Sequence, residues 1–224
     1  MLAAMLLSTA ASALAAPSDL GSPGPGPAAI DGSTVDSGWI LSKLARPAPT
    51  RTGFVELRGS ALLKAPLRIE GEYLRPREDT LVREVRSPYV ETTTIRAGEV
   101  TIVRGGKSRS FSLSRAPELI GLQASFGALL KGDRALLEQH YRVATQGTRQ
   151  QWTMVLVPKD RMLAAKVRDI TLRGRGAELR CIETQSVATK KAPAELQRTL
   201  LAGAARAATG LATQDQLAGL CHSR

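Results

Sequence analysis

The chain has 224 residues, and its 31 basic against 20 acidic side chains give a net charge of +11. The basic residues are spread along the sequence and only 4% of the chain is aromatic, which argues against nucleic acid, where stacking on rings is a main source of affinity. A basic surface of this kind suits anionic lipid headgroups, and equally an ordinary Arg-rich solvated surface.

Residues 1–16 begin with an apolar Ala/Leu-rich stretch, Leu2 to Leu14, that ends at Ala13-Leu14-Ala15. The run is too short to cross a bilayer and reads as a secretory signal peptide with a small-x-small cleavage site. No Lys or Arg precedes it, which points to a start upstream of Met1, and no Cys follows the cleavage site to accept a lipid anchor. Export to the periplasm is therefore expected, and it argues further against nucleic acid.

Residues 17–37 are rich in Pro, Gly and Ser, a flexible lead-in unable to bury a core. Asp36 or Ser37 then caps a short helix whose apolar side is Trp39, Ile40, Leu41 and Leu44, and Arg46-Pro47-Ala48-Pro49 stops it. From Thr52 the periodicity shortens to two. Leu67, Ile69, Gly71 and Tyr73 alternate with Arg68, Glu70 and Glu72, and further β-branched runs follow at Leu81–Val85, Tyr89–Ile95, Glu99–Val103 and Arg109–Leu113. Turns at Ala97-Gly98 and Gly105-Gly106 separate them, the pattern of an antiparallel meander.

At Pro117 the rhythm changes. Leu119, Leu122, Phe126, Leu129 and Leu130 recur at steps of three and four, which predicts an amphipathic helix ending at Lys131-Gly132. A second helix starts with an acidic cap at Asp133 and runs to about His140. Strands resume at Tyr141–Ala144, Gln151–Val157, Lys166–Leu172 and Glu178–Glu183, and an Ala/Leu-rich segment from Ala194 to about Ala208 reads as helix. The fold class is α+β, mainly β. Such a sheet is too long to stay flat, and it is expected to curl into an unclosed antiparallel half-barrel with the central helices over its concave face.

Cys181 and Cys221 are an even pair in an exported chain, which predicts a disulfide. Closing a loop of about 40 residues stabilises a fold by roughly 4 kcal/mol in the chain-entropy description. No metal site is expected, since His140 and His222 are the only histidines. No cofactor is expected either. No nucleophile elbow of the G-x-S-x-G type occurs, and the Gly-rich turns precede strands rather than helices, so they do not cradle phosphate. The chain does not read as an enzyme.

The order of helix, meander, mid-chain helix pair and β return resembles the periplasmic LolA-type outer-membrane lipoprotein carriers. The stretches that carry the likeness are GEYLRPREDTLVREV (Gly71 to Val85), SPYVETTTIRAGEVTIVRGG (Ser87 to Gly106), GALLKGDRALLEQHY, and WTMVLVPKDRMLAAKVRDITLRGRG (Trp152 to Gly176). The resemblance implies a half-barrel domain over residues 38–185, followed by a C-terminal helical segment over 186–224 tied by the disulfide. It implies an apolar cavity for acyl chains, with Leu119, Leu122, Phe126, Leu129 and Leu130 as lid over Trp152, Met154 and Leu156. Arg75, in the Arg75-Pro76 step, is the expected lid switch, with Arg77 as competitor. The residues by themselves fit a filled core as well as a cavity, and the resemblance favours the cavity. The function implied is a monomeric periplasmic carrier of lipidated protein or lipid, served by an inner-membrane donor transporter and an outer-membrane acceptor. The alternative is an envelope interaction module without cargo.

Overall fold

The computed structural model describes residues 34–58, 66–113, 131–190 and 193–222, all within the unit Ser33–Arg224. The expected signal peptide, most of the Pro/Gly/Ser-rich lead-in and the expected helix with Leu119, Leu122, Phe126, Leu129 and Leu130 lie outside the described residues.

Helix α1 (Ser37–Leu44) starts where the Asp36 carboxylate accepts the Trp39 N–H at 2.9 Å, a bond that satisfies one of the orphan donors of the first turn. Its Ile40, Leu41 and Leu44 are buried. Pro47 and Pro49 lack the N–H needed to prolong it. Six strands follow: β1 (Thr50–Arg58), β2 (Leu67–Arg77), β3 (Thr80–Ser87), β4 (Glu91–Arg96), β5 (Glu99–Arg104) and β6 (Lys107–Ser112). The turns β4–β5 and β5–β6 place both central residues, Ala97-Gly98 and Gly105-Gly106, at positive φ. That hand matches the strand twist and suits two-residue hairpins.

Helix α2 (Arg134–His140), capped by Asp133, leads into β7 (Tyr141–Gly147) and β8 (Trp152–Pro158). A one-turn helix α3 (Arg161–Ala164) precedes β9 (Val167–Arg175) and β10 (Glu178–Ser186), and β11 (Leu196–Leu201), α4 (Ala202–Ala207) and α5 (Gln214–His222) complete the chain. The Ala/Leu-rich segment is the main correction to the sequence reading. Leu196–Leu201 is a strand and not a helix, and only Ala202–Ala207 is helical. Between β1 and β10, Leu200 and Leu201 are buried on opposite faces of the sheet, and this tertiary gain outweighs the local preference of Ala and Leu.

The eleven strands among the described residues form one antiparallel sheet in the order β6-β5-β4-β3-β2-β1-β11-β10-β9-β8-β7. The sheet is not closed into a barrel, and β6 and β7 are its two edges. The last strand inserts beside the first, with Phe54 opposite Leu201 and Val55 opposite Leu200. Neighbouring residues of a strand point to opposite faces, so the centre of the sheet is buried twice. On one face Phe54, Ile69, Val85, Trp152, Met154, Leu156, Leu172 and Ile182 pack with α1, α2 and α3 through Leu41, Leu137 and Leu163. On the other, Val55, Leu57, Cys181 and Leu200 pack under α4 and α5 through Ala204, Ala205, Leu217 and Cys221.

Candidate functional site

On the α1 face, a partly open pocket of about 180 Å³ lies at the end of the sheet where α1 stops. Its lining comes from seven elements, one of them α4 through Ala202. Leu44 and Arg46 belong to the end of α1 and its exit, Thr50 and Thr52 to β1, Tyr73 and Arg75 to β2, Leu81 to β3, Leu179 to β10 and Leu201 to β11. These positions converge by register: Thr50 faces Arg75, Thr52 faces Tyr73, and Phe54 faces Gly71 one step deeper. The lining is mainly apolar. Its volume is below the roughly 300–1,000 Å³ of drug-sized sites and near the roughly 150 Å³ that holds one benzene ring.

Arg75 stands at the rim, 4% exposed. Its Nη1 donates to the Arg46 carbonyl at 2.6 Å, and its Nη2 pairs with the Glu78 carboxylate. The other Glu78 oxygen accepts the Ala48 N–H at 2.9 Å. The β2–β3 turn therefore clasps the segment between α1 and β1 at two points. Arg77 is exposed at the end of β2, so of the two arginines it is Arg75 that is built into the pocket. The lid residues it was expected to meet lie outside the described residues.

Trp152, Met154 and Leu156 are brought together, but away from this opening. All three are at most 1% exposed and belong to the packed core of the α1 face. The Trp152 Nε1–H donates to the Gly176 carbonyl at 2.9 Å, and its ring lies so close over Gly174 that no side chain fits there. The described pocket uses instead Tyr73, Leu81, Leu179 and Leu201, none of which was singled out as a lining residue. For Tyr73 a signal existed, since it shares the alternating set with Leu67 and Ile69, both of which face the same core.

A charged cluster lies just behind Tyr73. Glu56 is 1% exposed, and its two carboxylate oxygens accept from Arg58 at 2.8 Å and Arg83 at 3.2 Å. The Arg83 guanidinium covers the Phe54 ring at 4.7 Å, and the Phe54 and Tyr73 rings meet at 4.8 Å. Burial raises the pKa of the Tyr73 hydroxyl, with the Arg83 charge and hydrogen bond opposing.

The opposite face holds the disulfide Cys181–Cys221, which ties β10 to α5. Around it, Glu183 accepts from Arg173 at 2.9 Å and Arg198 at 2.7 Å. Arg198 also donates to the Gln214 carbonyl at 2.8 Å, and Arg68 to the Ala208 carbonyl at 3.1 Å. Cys181, Glu183 and Cys221 are the one group among the described residues whose spacing suits a metal. Both sulfurs are committed to each other and the carboxylate to two arginines, so the donor set does not fit an ion. No helix among the described residues is long and apolar enough to cross a membrane.

The family of outer membrane lipoprotein carrier proteins of the LolA-like kind matches residues 28–224. The chain belongs to this LolA-like family. The LolA-like chain is also similar to the crystal structure of a LolA superfamily protein from Nitrosomonas europaea, at a TM-score of 0.39 and 13% identity over 75% of this chain and 92% of that one. It is similar as well to LprF from Mycobacterium bovis, at a TM-score of 0.31 and 12% identity over 75% and 91% of the two chains. No curated protein matches it. Membership makes the chain one of a group of binding and carrier proteins.

Proposed function

We propose that this protein is a periplasmic, non-enzymatic carrier that shields acyl chains of lipoproteins or lipids on their way from the inner to the outer membrane. The supporting observation is the apolar pocket whose rim is clasped by buried Arg75 and its exposed partner Glu78. A methylene moved from water into such a pocket gains about 0.8 kcal/mol, so a carrier of this kind binds without covalent chemistry or a cofactor. Arg75 is the switch residue in this reading. Loss of its bonds to Arg46 and Glu78 frees the end of α1 and widens the mouth. The helix bearing Leu119, Leu122, Phe126, Leu129 and Leu130 is the lid, and Trp152, Met154 and Leu156 are the floor that a larger opening exposes. An inner-membrane transporter supplies the cargo to a monomeric carrier and an outer-membrane receptor takes it.

The test is organic extraction of the protein purified from its native compartment, followed by mass spectrometry. The expected result is acyl lipid in the extract and uptake of a fluorescent fatty acid by the stripped protein. A protein with neither is not a carrier. One observation favours a second reading. The α1 face is densely packed at Trp152, Met154 and Leu156, as an envelope interaction module without cargo requires. That module predicts no lipid and a protein partner captured by crosslinking.

A further inference from the structure

Behind Tyr73, beyond the pocket lining, the α1 face carries a charged pair set among apolar side chains. Along β1 the lining includes Thr50 and Thr52 and stops before Phe54 and Glu56. Two pairs further in, opposite Ile69, lies the Glu56 carboxylate. Arg83, paired in register with Tyr73, reaches back across the Phe54 ring to that carboxylate. Its guanidinium therefore covers Phe54, which with Ile69 and Val85 continues the apolar face behind Tyr73. A chain pushed past Tyr73 has to displace Arg83 and leave Glu56, 1% exposed, with Arg58 alone. Breaking a buried pair in this way is strongly unfavourable, far more than the next methylene can return.

We propose that Tyr73 and the Glu56–Arg83 pair are the stop of this pocket and set the acyl length it accepts: one chain, inserted for only part of a long fatty acyl group. The inference rests on the carrier reading and sharpens its cargo to a single short or partly inserted chain. It also gives the buried ion pair a role, since packing alone is served as well or better by apolar residues of the same volume.

A chain-length series tests this. Binding of the even-numbered fatty acids from hexanoate to hexadecanoate is measured by displacement of a fluorescent apolar probe. The wild-type protein is compared with Glu56→Gln/Arg83→Met, which keeps size and stem packing, and with Arg83→Lys, which keeps the charge. Wild-type affinity is expected to rise about fourfold per methylene and then level off before dodecanoate. The double variant continues to rise over at least two more methylenes, binding the longer acids about sixteenfold tighter, and Arg83→Lys keeps the wild-type break. An unbroken rise to hexadecanoate in the wild type overturns the stop, as does an unchanged break in the double variant. The wild-type series decides this even if the double variant fails to fold. Binding of no fatty acid at any length overturns the carrier reading itself, a different result from binding without a break.

Discussion

Replacing both members of the disulfide, Cys181→Ala with Cys221→Ala, tests the division of labour between the two faces of the sheet. The bond closes a loop of 40 residues, and in the chain-entropy description its loss lowers stability by about 4 kcal/mol. For a domain of this size each kcal/mol corresponds to roughly 2–4 °C, so the melting temperature falls by about 8–16 °C. The fold itself survives. Leu217 and Ala204 remain buried against Val55 and Leu57, Arg198 still holds the Gln214 carbonyl, and the Gln214 Nε2 still donates to the Leu57 carbonyl. The pocket lies on the α1 face, and the bond lies on the other. Fatty-acid affinity measured well below the melting point should therefore stay within about twofold, equivalent to roughly 0.4 kcal/mol. Thermal unfolding of wild type and variant, each with and without reductant, gives the first number, and probe displacement gives the second. A melting shift of under a few degrees would refute the entropic estimate. Loss of acyl binding in a folded variant would refute the separation of the faces.

Other outcomes follow from single contacts. Gly174→Ala drives a methyl group into the Trp152 ring, and a clash of this kind in a filled core costs about 1–3 kcal/mol; chemical denaturation should show it, together with a changed Trp fluorescence spectrum. Arg75→Gln removes the Glu78 pair and the bond to Arg46, so stability drops by about 1–3 kcal/mol and a bound fluorescent fatty acid leaves faster, which stopped-flow dilution measures. Stability should fall on acidification. Burial and the Arg173 charge hold His222 below its ordinary value of 6.5, and the Arg173 and Arg198 bonds hold Glu183 below 4.5 against the opposing effect of burial. A folded-state pKa that is depressed gives stabilisation present above the ordinary value and lost as the pH falls through the folded one. Melting curves should show decline beginning below 6.5 for His222 and a further loss below 4.5 for Glu183. Glu183→Gln removes the second stage and deepens the first, because the Glu183 charge partly offsets the lowering of the His222 pKa; a melting temperature that rises on acidification contradicts the assignment.

Most of the architecture was legible because it is written in local periodicity. Asp36 before an apolar stripe gave α1, and the two glycine-bearing turns gave the meander β4–β6. Leu196–Leu201 misled because Ala and Leu favour helix locally, while the slot between β1 and β10 can be filled only by a strand. The pocket was legible only in part. Its residues come from segments as distant as Leu44 and Leu201, and which side of the sheet each occupies depends on strand phase, which one residue of slip inverts. Arg75 was reachable through the family likeness, whereas Glu78 and the Glu56–Arg83 pair belong to contacts across strands that no spacing in the sequence announces. The Cys pairing needed no geometry, since two cysteines allow one bridge.

The most direct test of the account is photolabelling with a fatty acid that carries a diazirine near its methyl end, followed by peptide mapping. The account predicts adducts on Tyr73, Leu81, Leu179 or Leu201, suppressed by excess unlabelled fatty acid. Adducts confined to outward-facing residues such as Val90 or Met162, or labelling that excess fatty acid leaves unchanged, would contradict an acyl pocket beside α1.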